Sequence, residues 1–256
     1  MYSLLLMGLL LAPSPQLIDS TNKVRAPQPT PSDLTPEKRA DIYMARKMYR
    51  EAAETYRSAL AVQPSNARLH NKLGISYHQQ MLLGEAEKSY TRASKYDDDY
   101  SQAINNLGTI YYAQGRYKKA QKTYMKALKA APNSASIYSN LGTAYFARGK
   151  FKDAAKAYFE ALELDPNVFE HKGEAGTMLQ ERSVEQRAKY YYYVAQAYAR
   201  TEQYDRAILY LRKALEEGFG SRNKILGDKV FEPLHENPEF QALVDPEARV
   251  GAPAAD

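Results

Sequence analysis

An all-α fold of stacked antiparallel helix pairs is predicted by two observations on the sequence. The first is a period of 34 residues, which recurs at tyrosine and at alanine positions. The tyrosines are Tyr43, Tyr77, Tyr111 and Tyr145, and one set of alanines is Ala52, Ala86, Ala120 and Ala154. The second is that apolar and small residues within each period fall in two blocks at helical spacing. Because one such unit cannot bury its apolar face alone, the chain is predicted to form a stacked array.

Each period is predicted to hold two antiparallel helices. In the unit that begins at Ser101, Ile104 lies on the apolar face of the first block, and Tyr124 lies on that of the second. Between the two blocks stands Gly115, which can adopt the left-handed conformation that ends a helix. Prolines follow several second blocks, and each stops its helix because proline lacks the amide hydrogen.

The motif Leu-Gly-x-x-Tyr occurs at residues 73–77, 107–111 and 141–145. After each motif, an alanine, an aromatic residue and a second alanine follow at fixed offsets. On these residues the sequence resembles the tetratricopeptide repeat (TPR) family, although it contains no tryptophan. The resemblance implies a right-handed superhelical array of antiparallel helix pairs, an α-solenoid with about five repeats and a C-terminal capping helix.

The period and the local composition divide the chain into segments. They are residues 1–12, a candidate signal or anchor segment; 13–34, a proline-rich tether; 35–166, repeat units 1 to 4; 167–185, an insertion; 186–219, unit 5; 220–245, a C-terminal cap; and 246–256, a tail predicted to be disordered. Tyr198 lies 53 residues after Tyr145 instead of 34, which places the insertion between units 4 and 5. The insertion either contributes to binding on one face or acts as a spacer that adjusts the superhelix.

Residues 4–12 form an apolar run that no repeat unit needs. The run is long enough for the apolar part of a secretory signal but too short for the ~20 residues of a spanning helix. No basic residue precedes it, and Pro13 crowds a cleavage site after Ala12. We expect a bacterial protein that is exported to the periplasm or tethered to the membrane through residues 1–12. A cytoplasmic chain with an apolar tail is the alternative.

Side chains that could support catalysis or hold a metal ion are few. The chain has no cysteine, which excludes a disulfide framework, a thiolate zinc site and a cysteine nucleophile. Its histidines show no His-x-x-x-His pair that would place two ligands on one helix face. His70 stands where the family packs a large residue, so packing is its expected role. We therefore expect no enzyme activity, no cofactor, no metal site and no small-molecule substrate.

The net charge is +5, and basic residues are densest in one stretch, residues 116–129, where Tyr117 and Tyr124 stand between basic residues. A basic patch of this kind can bind nucleic acid or anionic lipid. It can also be the solvated outer face of an amphipathic helix. We favour the solvated face, because aromatic residues at this spacing already belong to the repeat core, and we predict no nucleic-acid partner.

The resemblance places a binding site on the concave surface. In the TPR family the first helices of successive units line that surface, and binding residues recur at fixed positions of the unit. Counted from Ala67, Ser101, Ala135 and Ala188, these positions supply the candidate partner-binding residues. They are Asn71, His78, Asn105, Asn106, Thr109, Tyr112, Asn140, Thr143, Phe146, Tyr192, Tyr193 and Gln196.

Two rows of these candidates carry the functional interpretation. Asn106 and Asn140 resemble the asparagine ladder with which some TPR proteins hold an extended peptide backbone, because each side-chain amide offers donors and an acceptor. Tyr112 and Phe146 form an aromatic row further along the same helices. We expect these four side chains to lie largely outside the repeat core. The alternative is that asparagine is merely tolerated at these positions, on an exposed helix face.

Four consecutive tyrosines, residues 190–193, belong to the first helix of unit 5. Successive helical positions point in different directions. We therefore expect Tyr191 to lie in the core, and Tyr192 and Tyr193 to face outward or into the groove.

The function predicted from the sequence is a non-enzymatic scaffold that binds a protein or peptide partner, as an extended or helical segment, in the concave groove. Two alternatives stay open. The chain could be a regulatory or substrate-recruiting subunit of an enzyme complex, such as one associated with a glycosyltransferase. It could also be a self-associating assembly module.

Overall fold

The structure, a computed structural model, describes residues 34–170, 183–219 and 221–245. These residues form helices and connecting turns, without a strand. The all-α fold class is therefore confirmed. No helix within the described ranges is long and apolar enough to cross a membrane. The candidate signal or anchor segment, the tether up to residue 33 and the C-terminal tail lie outside the described residues.

Ten helices form five consecutive pairs in the described part of the chain, and each pair is one repeat unit. Units 1 to 4 comprise α1 (Pro36–Ala45) and α2 (Tyr49–Val62), α3 (Ala67–Gln79) and α4 (Leu83–Tyr96), α5 (Ser101–Ala113) and α6 (Tyr117–Ala130), and α7 (Ala135–Ala147) and α8 (Phe151–Leu164). Unit 5 comprises α9 (Val184–Arg200) and α10 (Tyr204–Glu216). In units 1 to 4, each second helix packs on the first helix of its own unit and on that of the next, including α8 on α9.

The helices of a pair approach closely where a glycine of the first helix meets a tyrosine of the second. A Cβ atom added to Gly108 would lie 2.5 Å from Cε1 of Tyr124, which is too short for a real contact. The same contact joins Gly74 to Tyr90 and Gly142 to Tyr158. All three tyrosine side chains are buried. The missing side chain of the glycine therefore makes room for the largest core residue of the unit.

Each of the five turns within a pair contains one residue in the left-handed conformation. In units 3 and 4 this residue is Gly115 or Gly149, each with φ of 72°. Lys47, Met81 and Glu202 take the corresponding positions in the other units, with φ near 58–59°. The prediction for Gly115 is confirmed, and the turn persists at some steric cost where glycine is absent.

Only the two ends of the predicted insertion, 167–170 and 183–185, are described. Phe169 packs edge-on against Tyr158 of α8, at 5.5 Å between ring centroids, and against Tyr198 of α9, at 6.0 Å. Nε of Arg206 lies 2.9 Å from the carboxylate of Glu170. The start of the insertion therefore fills the seam between units 4 and 5.

The array ends in a short cap, formed by α11 (Arg222–Leu226), a 3₁₀ helix (Lys229–Leu234) and α12 (Pro238–Val244). Asn237 caps α12, because its side-chain oxygen accepts hydrogen bonds from the amides of Glu239 and Phe240. Phe231 and Phe240 are fully buried. The cap covers the apolar face that the last helix pair would otherwise expose.

Candidate functional site

The first helices line one surface of the array. α3 contacts α5 directly, and α5 contacts α7. In units 1 to 4, by contrast, the main neighbours of each second helix are the first helix of its own unit and that of the next. Direct contact among the first helices makes their side the inner, concave one, as predicted. We call this surface the groove.

Four asparagines form two hydrogen-bonded pairs across the groove, which we call the amide row. Nδ2 of Asn106 donates to Oδ1 of Asn71 at 3.1 Å, and Nδ2 of Asn140 donates to Oδ1 of Asn105 at 3.0 Å. Each pair joins residues 35 positions apart, and together they tie α3, α5 and α7. Each of these contacts uses one donor of one amide and the oxygen of the other. The remaining hydrogen-bonding capacity is available to a ligand at the amides that reach the surface.

The candidate residues differ in exposure. Buried ones are Asn71, Thr109, Tyr112, Asn140, Thr143, Phe146 and Tyr192. Half-buried ones are His78, Asn105, Asn106, Tyr193 and Gln196. The expectation that Asn106, Asn140, Tyr112 and Phe146 lie largely outside the core is wrong for three of the four. Asn140, Tyr112 and Phe146 are only 9%, 8% and 5% exposed.

Tyr112 and Phe146 are buried because the second helices of units 3 and 4 each begin with another aromatic residue. The ring of Tyr112 packs against Tyr117 at 5.1 Å, and that of Phe146 packs against Phe151 at 5.2 Å. Phe146 also meets the edge of Tyr193 in the next unit. The predicted aromatic row therefore belongs to the seams between helices. Truncation there would leave cavities in the core, whatever its effect on binding.

Thr109 and Thr143 serve the core in the same way. The hydroxyl of Tyr124 donates to Oγ1 of Thr109 at 3.2 Å, and that of Tyr158 donates to Oγ1 of Thr143 at 3.5 Å. In both pairs the tyrosine follows the threonine by 15 residues. A buried tyrosine hydroxyl needs such a partner. This constant spacing is a sequence signal that could have assigned both threonines to the interior.

Tyr192 and Gln196 are occupied by the cap. The hydroxyl of Tyr192 donates to Oδ2 of Asp228, and Nε2 of Gln196 donates to the same oxygen at 2.5 Å. The ring of Tyr192 stacks on Phe219 at 4.5 Å. Burial, and then the bond to the carboxylate, raise the pKa of the Tyr192 hydroxyl. The C-terminal end of the groove is therefore covered by the chain itself.

The tyrosine run is arranged differently from the prediction. Tyr190 and Tyr192 are buried, whereas Tyr191 and Tyr193 are half-buried. Tyr191 is therefore not the fully buried member, and Tyr192 does not face outward. The cap packs on the side of α9 that the sequence pattern treats as open, which reverses the predicted order. Tyr193 reaches the surface and stacks on Phe151, at 5.1 Å between centroids.

Lys72 is a groove residue that the sequence analysis missed. It stands 34 residues before Asn106, at the equivalent position of unit 2. Its Nζ lies 2.8 Å from the carboxylates of Glu37 and Asp41 in unit 1. Burial opposes the charge, but the hydrogen bonds to Asp41 and Glu37 raise the pKa of Lys72. The register of the amide row could have found this residue.

His70 packs in the interior, as predicted. His70 is 4% exposed, its Nε2 lies 2.9 Å from the carbonyl oxygen of Pro64, and its ring stacks on Tyr96 at 5.3 Å. Burial lowers the pKa of His70. Its packing role is confirmed. In the described parts of the chain, histidine, aspartate and glutamate side chains form no group that could hold a metal ion.

Profiles of the tetratricopeptide repeat match residues 65–133 and 99–167, and others match residues 40–80 and 188–217. These ranges cover more than half of the chain and include parts of all five units. The chain belongs to the tetratricopeptide repeat family. No curated protein sequence matches it significantly.

Solved TPR structures share the fold at low sequence identity. A structure of MamA is 22% identical, covers 70% of this chain and 93% of its own, and superposes with a TM-score of 0.51. MamA from Desulfovibrio magneticus RS-1 is 18% identical, with 71% and 92% covered and a TM-score of 0.52. YrrB, described as a TPR protein with an unusual peptide-binding site, is 19% identical, with 72% and 84% covered and a TM-score of 0.50. At these identities the similarity shows the fold alone.

Proposed function

We propose that the chain is a non-enzymatic protein-interaction scaffold whose groove binds an extended or helical segment of a partner protein. The observation that carries the proposal is the amide row, which presents Asn105 and Asn106 at the surface of the groove. Membership of the TPR family supports it. The peptide-binding site of YrrB, a protein with the same fold, is in keeping with it.

An extended segment would use backbone hydrogen bonds that the amide row can complement. One donor hydrogen of Asn106 is used by Asn71, which leaves a second donor and the carbonyl oxygen for a ligand. Asn105 accepts from Asn140 and retains both hydrogens of its own amide. A peptide backbone alternates donors and acceptors in the same way. The bound segment is expected to lie over units 2 to 4, because Asp228 covers the groove at unit 5.

The test compares partner capture by two matched double variants of the full chain. Asn105→Ala/Asn106→Ala removes the surface amides of the groove. Asn133→Ala/Asn223→Ala removes two exposed asparagines that lie outside the first helices of the units. Each lost hydrogen bond to a ligand should weaken binding by about 0.5–1.5 kcal/mol. Cross-linking and pull-down from the native host should therefore recover less partner with the groove variant alone.

The location of the protein belongs to the same proposal. The apolar sequence of residues 4–12 supports export or a membrane tether, with the array held outside the cytoplasm. Fractionation should then place the mature chain outside the cytoplasm, and deletion of residues 1–12 should retain it inside. A soluble cytoplasmic chain that keeps Met1 would contradict the proposed location but not the groove.

A further inference from the structure

Helix α6 differs from the other second helices in its charge. It carries five lysines and no acidic residue, whereas α2, α4 and α8 each carry both signs. Lys118, Lys122, Lys126 and Lys129 are all exposed. Like charges three or four residues apart repel each other along a helix. A solvated outer face gains nothing from this repulsion, since the mixed charges of α8 solvate that helix equally well.

The basic surface extends to α4 and to the first half of α8, because the period aligns their side chains, and it ends at Glu160 and Glu163 of α8, which align with Lys126 and Lys129. Arg92 of α4 stands 34 residues before Lys126, and Lys156 of α8 stands 34 residues after Lys122. Both are exposed. We define the convex basic face as Arg92, Lys118, Lys122, Lys126, Lys129 and Lys156.

Other basic residues nearby differ from this face because they form ion pairs within the protein. Arg116 and Lys119 both pair with Glu87, at 3.0 and 3.8 Å, and Nζ of Lys119 lies 4.0 Å from the centroid of Tyr111. Those two cations hold unit 3 to unit 2. The six residues of the convex basic face, by contrast, make no ion pair within the described ranges. Their charge is therefore available to an external partner.

We propose that the convex basic face docks on an anionic membrane surface. Its shape favours a broad, flat partner, because a convex array touches a plane at its middle helix, and the middle second helix of units 2 to 4 is the one without acidic residues. Met125 is 45% exposed between the lysines, as in helices that lie at a lipid interface. The apolar sequence of residues 4–12 supplies the second signal that stable membrane attachment needs.

This surface lies opposite the groove, so its docking does not depend on partner binding there, whereas the second signal rests on the proposed role of residues 4–12. A scaffold attached in this way would leave the groove open to a soluble partner. Each basic residue that reaches an anionic leaflet strengthens partitioning by about fivefold, and the effect is screened by salt. Nucleic acid is the competing partner for a basic face.

The test uses the full chain and two variants of equal net charge. Lys118, Lys122, Lys126 and Lys129 are replaced by Gln in the first, and Arg46, Arg50, Arg57 and Arg68, which are exposed on units 1 and 2, are replaced by Gln in the second. Four neutralisations take the net charge from +5 to +1 in both. Co-sedimentation is measured with vesicles of phosphatidylcholine alone and of phosphatidylcholine mixed with phosphatidylglycerol, at low and at physiological ionic strength. A labelled RNA oligonucleotide is titrated in parallel.

We expect the wild-type chain to bind the mixed vesicles more tightly than the neutral ones. The lysine variant should lose at least about tenfold in binding to the mixed vesicles, and the arginine variant less than about twofold. Equal losses of vesicle binding in both variants would show that binding depends on net charge alone, which would overturn the proposal. So would equal binding of the wild-type chain to both kinds of vesicle. A third outcome is that the wild-type chain binds RNA in a salt-sensitive way, that only the lysine variant loses this binding, and that the mixed vesicles are not preferred. The partner of the convex basic face would then be nucleic acid and not a membrane.

Discussion

Units 3 and 5 of the array fill the same core position in different ways. In unit 3, Gly108 leaves room for the ring of Tyr124, whereas unit 5 has Ala195 and Leu211 at the equivalent positions. Ala195, Leu211 and Tyr124 are all fully buried. The pair of a glycine and a tyrosine and the pair of an alanine and a leucine therefore fill the core equally well, because their total side-chain volume is similar.

The difference changes the role of a third position, the ninth of the unit. In unit 3 this residue is Thr109, which accepts the hydrogen bond of the Tyr124 hydroxyl. Leucine in unit 5 has no hydroxyl, and the ninth residue there is Gln196, which instead bonds to Asp228 of the cap. The same position of the repeat is thus part of the core in one unit and part of an interface in another. The residue opposite it on the second helix decides which.

The largest expected effect breaks the glycine–tyrosine contact. Gly108→Leu should lower the stability of the array by about 3 kcal/mol, the upper end of the usual cost of overpacking, since the new side chain overlaps the Tyr124 ring. Gly84→Ala is the control, because its Cβ would meet no atom within 4 Å. Thermal unfolding should show a lower midpoint for the first variant and an unchanged or higher one for the second. An unchanged midpoint for Gly108→Leu would refute the close packing.

A second variant breaks the attachment of the cap to unit 5. Asp228→Ala leaves the buried hydroxyl of Tyr192 and the amide of Gln196 without their acceptor, which should cost about 1–3 kcal/mol. Glu232→Ala, at an exposed position in the 3₁₀ helix that Asp228 caps, should be close to neutral. Hydrogen exchange of α9 is the measurement, and faster exchange is expected in the Asp228 variant only. Equal protection in both variants would show that apolar packing alone holds the cap.

A double-mutant cycle sharpens the comparison by transplanting the pair of unit 5 into unit 3. Gly108→Ala and Tyr124→Leu should each destabilise the array, the first by overlap with the ring and the second by the cavity it leaves. Together they should cost less than the sum of their separate effects, by about 1–2 kcal/mol. Urea unfolding of the four proteins of the cycle gives this coupling energy. Strict additivity would mean that the two pairs are not interchangeable.

The smallest effect concerns the alkaline stability of unit 5. Because the pKa of Tyr192 is raised in the folded state, the unfolded chain releases this proton first once the pH exceeds the ordinary value of 10.0. The contribution of the Tyr192 hydroxyl to the free energy of unfolding is therefore complete below about pH 10 and is lost as the pH rises further. Tyr192→Phe should make the decline of the unfolding free energy shallower in that range. Identical slopes for wild type and Tyr192→Phe would contradict the assignment.

The groove shows which features of a site the repeat period can predict. Counting along the period located the amide row, because equivalent positions of successive first helices must come close together when the units stack. The same counting could not predict that Tyr112 and Phe146 are buried, since their cover comes from aromatic residues at the start of the second helices. Nor could it predict the loss of Tyr192 and Gln196 to the cap, because Asp228 lies outside the period.

The sequence by itself determined the period, the helix pairs and the turn at Gly115, because these depend on local spacing and on backbone conformations that are repeated within each unit. The resemblance to the TPR family, in which the first helices line the concave surface, also placed the acid-free helix α6 on the outer side of its pair. Only the tertiary structure decided which groove side chains remain accessible. Exposure depends on neighbours that are distant in the chain, and those neighbours differ between unit 3 and unit 5 even where the repeat pattern is the same.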